Sequence, residues 1–342
     1  MALFAFIYGL FLFCVKLDLL IPHLLTPPAA TADLPSCGLF ETWLARSVIR
    51  DASTDYHSQL FSLLNLPTDL SPAWLSSLAD GCAQSFMQWR ADPVHFQANT
   101  DHAVLFDSQS LAITTEDATQ LAATFNAHFA ADGLQLHAAH PQRWYLQCQQ
   151  PLNVKTTPLT QAIGRNVRLF LPTGDDAVRW RSILNEAQML FYAHAVNQQR
   201  EASGIRSINS LWLWGEGQRD VNQINYPVFI YADDVVARGI ARFAKTEFKS
   251  VNDWLQNPAC GLLVLDDLVI PSSYGDVDGW VDAFASLCQE KLPIIFNALK
   301  TGQINQINLY PADGRCFTLR ASDLYKFWRL RQPLKHWLTY DS

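Results

Sequence analysis

The stretch Ile208–Arg219, INSLWLWGEGQR, gathers residue types able to hold an anion: the amide of Asn209, the indoles of Trp212 and Trp214, two turn-forming glycines, Gly215 and Gly217, and Arg219 directly after them. Strand alternation puts Ile208, Ser210, Trp212 and Trp214 on one face and Asn209, Leu211 and Leu213 on the other. Glycine lets a backbone turn sharply or approach a ligand closely. Asn197 and Arg200 lie just upstream, and Arg165 sits on a polar connector before them. An arginine fork suits a carboxylate or phosphate because it donates two parallel hydrogen bonds, and an asparagine amide offers both a donor and an acceptor. The same residues also make a buried strand closed by a tight turn, and both readings stand at this point.

Other constellations say less. Histidines 95, 102, 128, 137 and 140 fall between Asp92 and Pro141, but a metal needs three or four ligands to converge, and His128 lies near an apolar helix stripe. Asp266-Asp267 reads either as a carboxylate pair for magnesium or as a solvated strand end. Ser272-Ser273 has neither a nearby histidine nor a nucleophile elbow, and no phosphate-binding glycine loop is present.

The elements that must position these residues are legible in part. Asp175-Asp176 opens a predicted helix whose stripe is Trp180, Ile183, Leu184, Ala187, Leu190, Phe191 and His194, with Gly204 as its stop. Thr114-x-x-Asp117 opens another, burying Ala118, Leu121, Phe125 and Phe129. Apolar runs at 17–25 and 262–270 predict buried strands, Pro311-Ala312-Asp313-Gly314 predicts a hairpin, and 322–330 predicts a last helix carrying Tyr325, Trp328 and Arg329. Strands alternating with helices imply an α/β protein with a largely parallel sheet and the hairpin at an edge.

The 342 residues, 49% hydrophobic with 11 Trp and 20 Phe, supply a large core for one or two domains. A formal charge of −7 argues against nucleic acid as a partner, since phosphate backbones need a basic face. Seven cysteines without a CxxC pair read as reduced cytoplasmic thiols. Residues 1–15 carry no charge; the apolar run is short for a membrane span and lacks the positive leader of a signal peptide. The reading adopted is a true start at Val15, with residues 1–14 an extension. A leader or anchor over 1–32, which would place the protein outside the cytoplasm or on a membrane, is the alternative.

HAVNQQREASGIRSINSLWLWGEG at 194–217 resembles the His-Pro-x-Asn-x-x-Arg, Gly, Asn-x-x-Trp-x-Trp-Gly-x-Gly segment of archaeal-type, cofactor-independent phosphoglycerate mutases of the alkaline-phosphatase superfamily. RADPVHF, HFAADGL, RWYLQ, TTPLTQAIGRN, LNEAQML and NSLWLWG are, in that order, similar to the bacterial RpfE-type (regulator of pathogenicity factors E) family, over roughly 16–335. The resemblance implies an alkaline-phosphatase-like α/β core over 15–88 and 218–342, mostly parallel with helices on both faces, interrupted by a smaller α+β domain over 89–217. It also implies that Asn197, Arg200, Asn209, Trp212, Trp214, Gly215 and Gly217 line a ligand cleft.

The chain departs from the mutases where they hold their two metals. No Asp-Gly follows the first strand, no Asp-His occurs in the C-terminal half, and no histidine lies between Glu201 and Tyr325. Two metals about 4 Å apart need a full ligand shell. The expected protein is therefore a catalytically degenerate, regulatory binder of a phosphorylated or carboxylated small molecule, with a protein partner as a further possibility and neither metal nor other cofactor. The alternative is an active mutase or phosphatase using manganese or magnesium.

Overall fold

The computed structural model describes residues 16–30, 34–82, 87–99, 102–150, 152–219 and 229–339. The reading of residues 1–15 and the end of the alternative leader at residue 32 lie outside them. Two compact units divide the chain, one from Met1–Thr68 with Asn222–Ser342, the other Asp69–Val221. The inserted piece, expected from residue 89, thus begins at Asp69 and includes a helix upstream of the first strand.

The first unit opens with β1 (Lys16–Leu20), α1 (Gly38–Arg46), β2 (Val48–Asp51) and α2 (Tyr56–Leu63). Asp55 starts α2 by accepting the Ser58 amide at 2.7 Å.

The second unit contributes α3 (Pro72–Ala79), β3 (Met87–Ala98), β4 (Ala103–Phe106), α4 (Thr115–Phe129), β5 (Leu134–His140) and β6 (Arg143–Cys148), then α5 (Leu159–Ala162), α6 (Ala177–Tyr192), α7 (Ala195–Ala202) and β7 (Ser210–Trp214). Its antiparallel sheet runs β4-β3-β6-β5, with β7 also paired to β3. Pro93 lies inside β3 because the strand changes partners there: β6 pairs with Met87–Arg90, β4 with His95–Ala98, and Pro93 faces only Leu211 of β7. A residue without an N–H is tolerated where one flank has no ladder. Thr114 and Asp117 close the predicted capping box on α4. The predicted stripe at 180–194 is split, since α6 stops at Tyr192 and His194 caps α7 by accepting the Val196 amide at 3.2 Å. Trp144, Trp180, Phe191, Leu211 and Leu213 share the core between this sheet and its helices.

The chain returns through β8 (Ile230–Tyr231), α8 (Val235–Ala244), β9 (Phe248–Lys249), α9 (Val251–Gln256), β10 (Gly261–Val264), α10 (Val269–Tyr274), α11 (Val277–Ser286), α12 (Leu292–Lys300), β11 (Gln306–Tyr310) and β12 (Arg315–Arg320). The seven-stranded order is β2-β12-β11-β1-β10-β8-β9; β11, β1, β10, β8 and β9 run parallel, and β12 runs antiparallel to both its neighbours, β11 and β2. Alternate residues Leu17, Leu19, Leu263, Ile307 and Leu309 face a core shared with Phe40, Trp43, Trp280, Phe284 and Ile295. The hairpin is β11–β12, but β2 pairs outside it and forms the edge.

Two predicted elements are shorter than expected. The strand expected over 262–270 ends at Val264, because its partner β1 ends at Leu20, the residue in register with it. The helix expected over 322–330 is a 3-10 turn, Ala321–Tyr325, followed by irregular chain. None of the helices among the described residues is long and apolar enough to cross a membrane.

Candidate functional site

The second unit assembles most of the residues singled out in the sequence, and it uses several of them as ties. Asn197, buried on α7, donates to the carbonyls of Phe191 and Ile208 at 2.8 Å each and accepts the Ile208 amide at 2.8 Å. Asn209 clasps the backbone of Phe96, accepting its N–H at 2.8 Å and donating to its carbonyl at 3.0 Å. Arg200, also buried, donates to Asp117 Oδ2 at 2.7 Å, to the Arg206 carbonyl at 3.0 Å and to the Leu111 carbonyl. These bonds fasten α7 to β7, β7 to β3, and α7 to the start of α4.

Trp212 and Trp214 occupy the strand face opposite Leu211 and Leu213, as the alternation predicts. Trp212 donates its indole N–H to the Thr157 carbonyl at 2.9 Å. Trp214 donates to Asp92 Oδ2 at 2.7 Å. Gly215 and Gly217 have φ of +85° and +152°, and a Cβ on Gly217 would lie 2.5 Å from the Asp69 carbonyl oxygen. Here the glycines bring two backbones of one unit together. Arg165, on the turn after α5, is exposed, and its guanidinium has no partner among the described residues.

Around Trp214 lies a buried polar network that the motif reading did not single out. Asp92 Oδ1 accepts from Arg90 Nε at 2.8 Å and Nη2 at 2.6 Å, and the Arg90 guanidinium sits 5.1 Å from the Trp214 ring and 5.6 Å from the Tyr145 ring. Arg143 holds Asp80 with two bonds, at 2.9 and 2.8 Å, and Tyr145 donates to the same carboxylate at 2.7 Å. Burial pushes the Asp92 carboxyl above its ordinary range, against the pull of Arg90 and Trp214. Burial would also raise Asp80, but the Arg143 and Tyr145 bonds and the Arg90 charge bring it below the usual value. Each arginine is matched by one carboxylate, so the network is rigid and close to neutral. Its signal in the sequence was the runs RADP and RWY, legible only as part of a resemblance.

The first unit presents a different chemistry. An open α/β sheet takes ligands at the carboxyl ends of its strands. At that edge β8 leads into Asp233 and Asp234, and β10 into Asp266 and Asp267. Asp234 caps α8, accepting the Ala237 amide at 2.7 Å. Asp267 is paired with the Lys291 ammonium at 2.5 Å. Burial, then the charges of Asp234 and the other aspartates, raise the Asp266 carboxyl to about 6. The Tyr56 phenol is held well above its ordinary range by burial and by Asp234 and Asp266.

One 132-residue stretch, 37% of this chain, is 25% identical to the 2,3-bisphosphoglycerate-independent phosphoglycerate mutase of Methanosarcina mazei and spans 33% of that protein. A 61-residue stretch, 18% of this chain, is 38% identical to the enzyme of that name from Methanothrix thermoacetophila and spans 16% of it. No family model matches the chain. The solved structure of PH0037 protein from Pyrococcus horikoshii superposes with a TM-score of 0.50 at 10% identity, over 90% of this chain and 87% of that one. The chain is distantly similar to the cofactor-independent mutases. It has a phosphoglycerate-mutase-like α/β fold with a parallel-rich sheet.

The resemblance drawn from the sequence implies two divalent cations, whose ligands would be sought at this edge. Among the described residues no three His, Cys, Asp or Glu side chains converge as ligands to one ion. At the sheet edge Asp234 is engaged by a helix amide and Asp267 by an ammonium.

Proposed function

We propose that this chain is a catalytically silent, phosphoglycerate-mutase-like protein of the RpfE type, working in the cytoplasm as a regulatory binder of a small phosphorylated or carboxylated molecule. The observation that carries the reading is the carboxyl edge of the parallel sheet, where β8 and β10 lead into Asp233, Asp234, Asp266 and Asp267, and of these Asp267 pairs with the Lys291 ammonium. A phosphoester arriving there meets like charge, with the Lys291 ammonium already paired to Asp267. Of the cations expected to bind an anion, Arg200 is committed to protein acceptors and Arg165 is open. The anion therefore belongs with Arg165 on the second unit, beside the turn that ends α5.

Metal content, turnover and ligand stabilisation together test this. The purified full-length protein is expected to hold no stoichiometric manganese, magnesium or zinc and to leave 2- and 3-phosphoglycerate unconverted with added manganese. Its melting temperature should rise with one of a panel of phosphorylated and carboxylated metabolites, by mass action on the folded state. Metal-dependent turnover at about 1 per second or faster would replace this reading with that of an active mutase or phosphatase, the alternative that the sequence similarity favours.

A further inference from the structure

Four of the six residues from 325 to 330 turn large apolar side chains outward: Tyr325, Phe327, Trp328 and Leu330 are 65–79% exposed. The chain beneath them is not loose. Arg46 donates to the Leu324 carbonyl at 2.5 Å, Arg329 to the Ser47 carbonyl at 3.0 Å, and Arg331 pairs with Glu41 at 2.5 Å while bonding Ser36 at 2.8 Å. Three arginines thus strap the segment onto α1 and the start of β2. Val48 and Ile49 of β2 are themselves 44% and 48% exposed, and among the described residues β2 ends the sheet, paired with β12 on one side only. Anchored aromatics next to an open strand edge join the two devices by which a surface takes up an extended chain: main-chain pairing and side-chain pockets.

From this juxtaposition we infer that β2 and the 325–330 segment form a docking surface for an extended, acidic and apolar segment of a partner protein, which adds to the sheet as a strand beyond β2. The partner's charge follows from complementarity. Lys326 and Arg331 are paired with Asp323 and Glu41, but Arg50 and Arg329, in or beside the patch, have no carboxylate partner among the described residues, in a chain whose formal net charge is −7. A second copy docking by the same patch would set these cations against their own kind, because a two-fold interface is self-facing. An anionic membrane would match the cations and the aromatic rings, but lipid cannot satisfy the N–H and C=O groups along an open strand. An added strand satisfies them. The short length of β2 and its charged Arg50 and Asp51 restrain indiscriminate pairing.

Panning a phage library of random dodecapeptides on the full-length protein tests the inference. Enriched peptides are expected to alternate apolar residues with Asp or Glu. Their binding should weaken about tenfold or more in Phe327→Ala/Trp328→Ala, since buried aromatics dominate such interfaces, and it should also weaken in Arg50→Glu. All three positions are on the surface, so the variants should melt as the parent does. The bound peptide should slow amide exchange at 48–51 specifically. Failure to enrich any peptide, enrichment without acidic residues, binding that is indifferent to the aromatic variant, or binding without protection of β2 would each overturn it. So would co-sedimentation with phosphatidylserine vesicles, or self-association, that the aromatic variant abolishes.

Discussion

Arg200 and Arg165 separate the two roles that an arginine near a ligand-binding motif can play. The Arg200 guanidinium is spent on Asp117 and on backbone carbonyls. Arg200→Ala leaves those acceptors short of donors and a carboxylate without its cation, at a cost of about 3 kcal/mol, which a thermal melt should register as a fall of roughly 10 °C. Arg165→Ala should melt as the parent does and lose the stabilisation by whatever anion the ligand screen identifies; retained stabilisation would remove Arg165 from the site. Asp266 supplies a pH test at the same scale. Its folded-state value of about 6 lies above the ordinary 3.8, so between those values the folded protein binds more protons than the unfolded chain. Its contribution to stability therefore declines as pH rises through that window and is flat above it. Asp266→Asn should flatten the decline in melting temperature between those pH values and slightly raise the melting temperature at pH 7; an unchanged profile would mean that neither burial nor the neighbouring aspartates raise the carboxyl.

At the scale of elements, the neck of the second unit depends on backbone groups that pass very close together. Gln218 donates its N–H to the Asp69 carbonyl at 2.8 Å, and Ser71 donates its own to the Gln218 carbonyl at 3.0 Å. Gly217 lies between these bonds, where an added methyl would sit 2.7 Å from the Ser71 nitrogen. Gly217→Ala must shift one of the two backbones, and is expected to cost on the order of 1–3 kcal/mol in denaturant unfolding of this unit. Ser71 both caps α3, accepting the Trp74 amide at 3.1 Å, and donates to the Gly215 carbonyl at 2.7 Å. Ser71→Ala should cost about 1 kcal/mol from the cap, with a smaller addition at the Gly215 carbonyl, which keeps the Ala73 amide at 3.1 Å.

Across the whole molecule, the insertion has the features of a unit that folds by itself. Its two ends are joined by the pairing of Leu70 with Gln218, and it has a core of its own around Trp144, Trp180 and Phe191. Residues 69–221 produced alone are expected to unfold in one cooperative transition with dispersed amide resonances. A fragment that melts without cooperativity would show that this core depends on the remainder of the chain.

Local periodicity is what the sequence by itself determined. The capping box at Thr114 and Asp117, the stripe from Trp180 to Phe191, and the opposition of Trp212 and Trp214 to Leu211 and Leu213 were all legible, since each depends on spacings of two to four residues. Partnerships across long stretches of chain were not. Trp214 meets a carboxylate 122 residues earlier, Arg143 one 63 residues earlier, and Arg200 one 83 residues earlier. Strand pairing and helix packing choose these partners, and many pairings fit the same composition. Tertiary structure also set the end of β10, where β1 no longer supplies a ladder, and turned the expected last helix into a strapped, outward-facing segment. There, bonds from Arg46, Arg329 and Arg331 to distant chain outweigh a helical pattern that had no core to pack against.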